Sequence, residues 1–174
     1  MAYKHHISQY LFQTICIIVT MNLIGCGVYS FSGTSIPEGA KTFCVHYIKN
    51  AATLVQPNLS NNLTEELKTK CLNETDLIWE DNNADISFSG TIKSYTIKPM
   101  SIQNNETAAQ NRLTVMVEIT CNNRIDESQS FKRSFTQYAD FDSNKNLSEL
   151  EDELNNIIIE NLIDDIFNTA LVNW

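Results

Sequence analysis

Apolar and polar positions alternate along this chain with two different periods, and the changes of period mark its elements. From Asp85 to Lys93, Ile86, Phe88, Gly90 and Ile92 alternate with Asp85, Ser87, Ser89, Thr91 and Lys93. From Arg112 to Cys121, Leu113, Val115, Val117, Ile119 and Cys121 alternate with Arg112, Thr114, Glu118 and Thr120, and Met116 is the one apolar residue on the polar side. A period of two predicts antiparallel strands with one wet face, with Val115 and Val117 turned to the core. Thr42–Ile48 is aromatic and β-branched and predicts a strand before these two. Gln129–Phe141, carrying Phe131, Phe135 and Tyr138, predicts one after them. Asn122-Asn123-Arg124 and Asp126-Glu127-Ser128 supply the hairpin connection between the last pair.

Two stretches carry the helical period instead. After Pro57, Leu59, Leu63, Leu67 and Cys71 recur every fourth residue, with Glu65 and Glu66 on the other side. From about Leu147 to Trp174, Leu150, Leu154, Ile158 and Leu162 form one stripe, and Ile159, Ile163, Ile166 and Ala170 form a second. A face that wide suits a helix lying across a sheet. Ser148 and Glu151 have capping-box spacing at its start. The predicted fold class is α+β, with two helices packed on one face of a four-stranded mixed sheet in the order β-α-β-β-β-α. Residues 42–174 form this single domain. Its longest connection without structure is expected from Pro99 to Asn111.

The first 25 residues stand outside that domain. Lys4, His5 and His6 precede an apolar stretch densest at Ile15–Val19, and Gln13, Thr14, Thr20 and Asn22 interrupt it. That is too short and too wet for a membrane span of about 20 apolar residues, and it has the order of a secretory signal. Leu23-Ile24-Gly25-Cys26 reads as a lipobox. Residues 1–25 are expected to be removed and Cys26 to be lipidated. Several acyl chains at about 0.8 kcal/mol per buried methylene make such an anchor practically permanent. Residues 26–41, rich in Gly and Ser, are expected to tether the domain to the membrane. Gly27 after the cysteine is compatible with the outer membrane.

Charge narrows the function classes. The chain of 174 residues carries 12 Lys+Arg against 21 Asp+Glu, a formal charge of −9, which excludes a binder that lives on nucleic-acid phosphates. From Asn146 onward there are seven acids and no Lys or Arg. The expected helix layer is therefore acidic. The sheet layer is near neutral, with Lys93, Lys98 and Arg112 at or near outward positions. Such a face fits either an anionic head group or protein wall, or plain solvent. For catalysis, only His46 survives removal of the signal, and no nucleophile motif, zinc motif or phosphate loop is present. Glu149, Glu151, Asp152 and Glu153 line the first turn of a helix, where negative charge suits the dipole. Cys44, Cys71 and Cys121 are expected as small buried residues, although one pair could bridge in an oxidising compartment. Sequons at Asn58, Asn62, Asn73, Asn105 and Asn146 would suit a glycoprotein, but the lipobox argues against one.

Gly25-Cys26-Gly27-Val28-Tyr29-Ser30-Phe31-Ser32-Gly33, the Phe43 strand, Pro57-Asn58-Leu59-Ser60, Ala84-Asp85-Ile86 with Ser89-Gly90, Asn111-Arg112-Leu113-Thr114-Val115, and Asp165-Ile166-Phe167-Asn168 near Asn173-Trp174 form an ordered set. In that set the chain resembles the LptE family of lipopolysaccharide-assembly lipoproteins, in the form typical of Bacteroidota. The resemblance implies two helices on a four-stranded sheet, no enzymatic activity and no cofactor. It implies an outer-membrane lipoprotein seated as a plug in the β-barrel of an LptD-like translocon protein, supporting barrel assembly and meeting lipopolysaccharide on its way to the outer leaflet. Cys26 is the one functional residue that the resemblance carries over. Lys93, Lys98 and Arg112 are candidate contacts to the barrel or to lipopolysaccharide. The alternative is a free-standing periplasmic lipoprotein that carries an apolar ligand between sheet and helices.

Overall fold

A computed structural model describes residues 36–54, 56–100 and 109–172. The expected signal, Cys26 and the first part of the tether lie outside the described residues. The elements are β1 (Thr42–Val45), β2 (Lys49–Asn50), α1 (Leu59–Glu74), β3 (Ile78–Trp79), β4 (Ile86–Pro99), β5 (Gln110–Asn123), β6 (Phe131–Asp142) and α2 (Leu147–Leu171). The sheet runs β3-β1-β4-β5-β6, with β2 pairing β4 as well. It is mixed as expected: β1 pairs β3 and β4 in parallel, and β4, β5 and β6 form an antiparallel meander.

The expectation of four strands is corrected to six. The two extra strands, β2 and β3, have two residues each and are too short to show any period. Each is held by its neighbour, β3 by β1 and β2 by β4. A second correction concerns β4, which runs past Lys93 to Pro99, opposite Asn111. Its register shifts between Ile92 and Ser94. Both Lys93 and Ser94 stand in the interval against Met116, so the buried positions change phase there, from Ile86, Phe88 and Ile92 to Tyr95. A β-bulge does this by inserting one unpaired residue. The expected Pro99–Asn111 loop shrinks accordingly, because Pro99, Gln110 and Asn111 belong to strands and Met100 N–H donates to the Gln110 carbonyl at 2.8 Å.

The two helices cover one face of the sheet. Leu59, Leu63, Leu67 and Cys71 of α1 and both stripes of α2 from Leu154 onward enter a single core with Phe43, Phe88, Ile92, Leu113, Val115, Val117 and Ile119. Gly90 marks the tightest packing. A Cβ there would lie 2.5 Å from Ile119 Cδ1 and 3.0 Å from the Glu118 carbonyl, so a glycine lets Ile48 and Ile119 close over the strand. The start of α2 differs from its expected cap. Asn146, not Ser148, accepts the Ser148 N–H at 3.3 Å. Glu151 is turned inward, and Tyr95 O–H donates to its Oε1 at 2.8 Å, with Asn155 Oδ1 3.2 Å from the same oxygen. Tyr95 therefore ties the far half of β4 to α2. Thr64 does similar work for α1: its hydroxyl accepts from Ile48 N–H at 3.1 Å and donates to the Ser60 carbonyl at 2.7 Å.

Asp85 pins the beginnings of β1 and β4 together. Its Oδ2 accepts from Lys41 N–H at 2.9 Å, Thr42 N–H at 3.1 Å and the Thr42 hydroxyl at 3.1 Å. These donors, Lys41 first, hold its carboxyl below the usual range. Within the expected tether of residues 26–41, Ile36 and Ala40 are partly buried against the core.

Three outcomes follow from this packing. Val117→Asp buries an unpaired carboxylate at a fully buried position and should cost more than about 5 kcal/mol, enough to unfold the domain, while Thr114→Asp on the opposite face should leave the circular-dichroism melt nearly unchanged. Asp85 has a lowered folded pKa, so its contribution is complete above the unfolded value of about 3.9 and is lost as pH falls through the folded one. Acid titration followed by fluorescence should thus show a shallower loss of stability below about pH 4 in Asp85→Asn than in the parent. Tyr95→Phe should cost about 1 kcal/mol in urea unfolding, since it leaves Asn155 and Glu151 without the shared hydroxyl.

Candidate functional site

The helices leave the other face of the sheet bare among the described residues, and the register places each of its side chains. Ser87 stands beside Asn122, then Ser89 beside Thr120 and Lys132, then Thr91 beside Glu118 and Ser134. Beyond the bulge come Ser94, Met116 and Thr136, then Thr96, Thr114 and Tyr138, and last Lys98, Arg112 and Asp140. Most of these positions carry a hydroxyl, and Met116 is the only aliphatic residue in the rows. A β-sheet that packs on one side repeats apolar residues on that side and leaves the other to water or to a polar partner.

The charges on this face are already sorted into groups. Glu118 lies between Lys93 and Lys132, at 3.1 and 3.3 Å. Those two ammonium groups, Lys93 first, hold its carboxyl below the usual range. Arg112 donates through Nε and Nη2 to the two carboxylate oxygens of Asp140, both at 2.7 Å. Its guanidinium also stacks 3.6 Å above the Tyr138 ring. A bidentate, stacked arginine is held rigidly and has its charge matched. Asp140 is correspondingly held below the usual range by Arg112. Of the three candidate contacts, Lys93 and Arg112 are thus ion-paired within the sheet. Lys98, opposite Arg112, makes no salt bridge among the described residues. The structure brings Lys98 and Arg112 into one row and sets Lys93 near the middle of the face.

Asp140, Tyr138 and Lys132 belong to this face but were not among the candidate contacts expected from the sequence. Their only signal was the charge and aromatic content of the fourth predicted strand, and pairing them with Arg112 and Glu118 requires the register. His46 lies at the border of the same face, with Nε2 3.6 Å from Cys44 Sγ. Burial, then the nearby Asp81 carboxylate, raises the Cys44 thiol pKa. Burial pushes Cys71 and Cys121 up to about 12. All three thiols are free and buried, and none has the depressed pKa of a reactive cysteine. Among the described residues no group of three or more His, Cys, Asp or Glu is placed to hold a metal ion, and no helix is long and apolar enough to cross a membrane.

The space between sheet and helices, where an apolar ligand would have to sit, is filled by side chains with no exposure, among them Phe43, Phe88, Ile92, Leu113 and Ile158. A hollow of about 530 Å³ lies instead on the outside of the helix layer, between α1 and α2. Glu66, Glu74, Glu160 and Asp164 border it, and Lys70 bridges Glu74 at 2.7 Å and Asp164 at 2.9 Å. It is wet and acidic.

These features define a class: a two-layer α+β domain that keeps its helices on one side and offers a broad, hydroxyl-rich sheet with most of its charges ion-paired on the other. The profile of the LptE family, described as lipopolysaccharide-assembly, matches residues 40–170. The chain belongs to that family. No curated protein sequence matches it. Among solved structures, a homologue of a neuraminyllactose-binding haemagglutinin from Helicobacter pylori is similar with a TM-score of 0.52 at 9% identity, covering 79% of this chain and 87% of that one. A minor lipoprotein from Acinetobacter baumannii is similar with a TM-score of 0.49 at 16% identity, covering 76% and 96%. The rare lipoprotein B from Shewanella oneidensis gives 0.42 at 11%, covering 74% and 90%. At these identities the Helicobacter likeness concerns the fold alone.

Proposed function

We propose that this member of the LptE family is a non-enzymatic outer-membrane lipoprotein that sits as a plug in the β-barrel of an LptD-like translocon protein and supports assembly of that barrel and delivery of lipopolysaccharide. Residues 1–25 are removed, Cys26 carries the acyl chains, and residues 26–41 lead from the membrane to the domain of residues 42–174. The observation that carries the reading is the bare outer face of β4, β5 and β6. A barrel lumen is polar. A sheet of hydroxyls with Lys93, Lys132 and Arg112 already held by Glu118 and Asp140 can lie against such a wall with few groups left to satisfy, because each hydroxyl both donates and accepts. The family match supports the same reading. Lys98 is the residue of the three without an ion pair among the described residues, and it meets the wall or an anionic head group directly. Lys93 and Arg112 contribute as parts of their ion groups, so they position neighbours as much as they bind.

Two experiments check this. The lipoprotein, tagged at its C-terminus and extracted from outer membranes in detergent, should bring down one large β-barrel protein in equal amount, and depletion should lower the assembled barrel and admit large antibiotics. Recovery of the lipoprotein without a barrel, together with unchanged surface lipopolysaccharide on depletion, would overturn the plug. Separately, Cys26→Ala should accumulate as an unprocessed chain, and an intact mass of the parent equal to the uncleaved, unacylated sequence would remove the anchor from the proposal.

A further inference from the structure

The two edges of the sheet are unlike. Opposite β6 the edge is broken, passing from two-residue β3 through β1 and β2 to the half of β4 beyond Ile92, which bears the bulge and ends in Pro99; β6 is a single run of 12 residues. β6 pairs β5 from Phe131 opposite Cys121 to Asp142 opposite Gln110 without a shift in register. Alternate residues of an edge strand aim their backbone N–H and C=O away from the sheet, and among the described residues no strand receives those of β6. Edges are usually blunted by shortness, proline or a bulge. β6 is long and has no proline, and the bulge lies in β4.

β6 does carry charge, but the charge is sorted along it. Lys132 and Arg133 occupy the first half, with no acid, and Asp140 and Asp142 occupy the second half, with no base. Against a strand of arbitrary sequence this arrangement repels as readily as it attracts. Against an antiparallel copy of itself it is complementary. A two-fold axis makes such pairing antiparallel by necessity. With Thr136 on the axis, Lys132 falls opposite Asp140 of the second copy, and the same pair recurs on the other side. Both residues lie on the outer face, as do Ser134 and Tyr138, which fall opposite one another. Since Asp140 already holds Arg112 and Lys132 already holds Glu118, the charges Arg112, Asp140, Lys132 and Glu118 alternate in sign across the junction.

We propose that the lipoprotein free of other partners forms a two-fold homodimer in which β6 pairs antiparallel with β6 of a second copy, with Thr136 at the axis. The pairing joins two sheets edge to edge and covers the 12-residue edge strand that no strand covers among the described residues. It uses the edge of the sheet and not its outer face, and it stands whether or not the plug reading does.

The test uses the full-length lipoprotein purified in detergent. Directly opposite residues of an antiparallel pair have Cα atoms about 4.5–5.5 Å apart, within the range of a disulfide. Thr136→Cys, at an exposed position, should therefore give a covalent homodimer on mild oxidation with copper–phenanthroline, in which two thiols lose two electrons and two protons to the oxidant. Thr91→Cys, on the same face but two strands in from the edge, should give no more than the parent. In sedimentation equilibrium, Lys132→Glu should weaken dimerisation on the order of tenfold, because the substitution sets like charges opposite each other twice per dimer. Lys93→Glu removes the other cation from Glu118 without touching β6 and should leave dimerisation unchanged. The proposal is overturned if Thr136→Cys stays monomeric or crosslinks to a different protein, or if the two lysine variants behave alike.

Discussion

The pairing of β4 with β5 carries the domain, and it works only because one irregularity keeps its apolar side consistent. Both helices lie on a single face, so the core side chains of the sheet must point to that face. Over a strand of 14 residues the twist of a regular pair would carry the far end away from a straight helix. The bulge at Lys93–Ser94 bends β4 and turns Tyr95 inward, where its hydroxyl meets α2. Gly90 serves the same end on the near side by letting Ile48 and Ile119 approach. Sheet, bulge and helix thus form one unit, and the outer face is what remains when nearly all aliphatic side chains of β4 and β5 have been collected on the other side.

The regular parts of this arrangement were legible in the sequence. The i+4 stripe of Leu59, Leu63, Leu67 and Cys71 and the alternation through Leu113 to Cys121 both identify residues that are fully or almost fully buried. What was hidden has physical causes. Strict alternation stops at the bulge, so Ser94 to Pro99 read as the approach to a loop although they are strand. β2 and β3 exist because a neighbouring strand offers hydrogen bonds, not because two residues have a preference. Asn146 is the cap because the helix already begins at Leu147, ahead of Ser148, and Glu151, the other half of the expected capping box, bonds Tyr95 instead.

The candidate site shows the same division. Lys93, Lys98 and Arg112 were identifiable as cations on or near the outer side of strands. That Lys93 and Arg112 are matched by Glu118 and Asp140 depends on register, which no local pattern supplies. The consequence for function is substantial. Free lysines and arginines would make the face an anion collector, steering lipid phosphates from a distance. The pairs with Glu118 and Asp140 remove part of that field, and the hydroxyls around them can act only at short range, through hydrogen bonds. This agrees with the net acidity of the chain, which opposes long-range attraction of anions.

Face and edge of this sheet make different demands on a partner. The hydroxyls of the face are satisfied by water, so an encounter there exchanges one set of hydrogen bonds for another and gains little unless many are made together. A broad, conforming surface such as a lumen wall meets that condition, whereas a small ligand does not. The open backbone of β6 needs only an extended strand, and its specificity must come from side chains, here from the order of two bases and two acids. The charge order on β6 also disfavours parallel self-pairing, in which Lys132 would meet Lys132 and Asp140 would meet Asp140. The two proposed interactions therefore rest on different geometry: area on the face and polarity of direction on the edge.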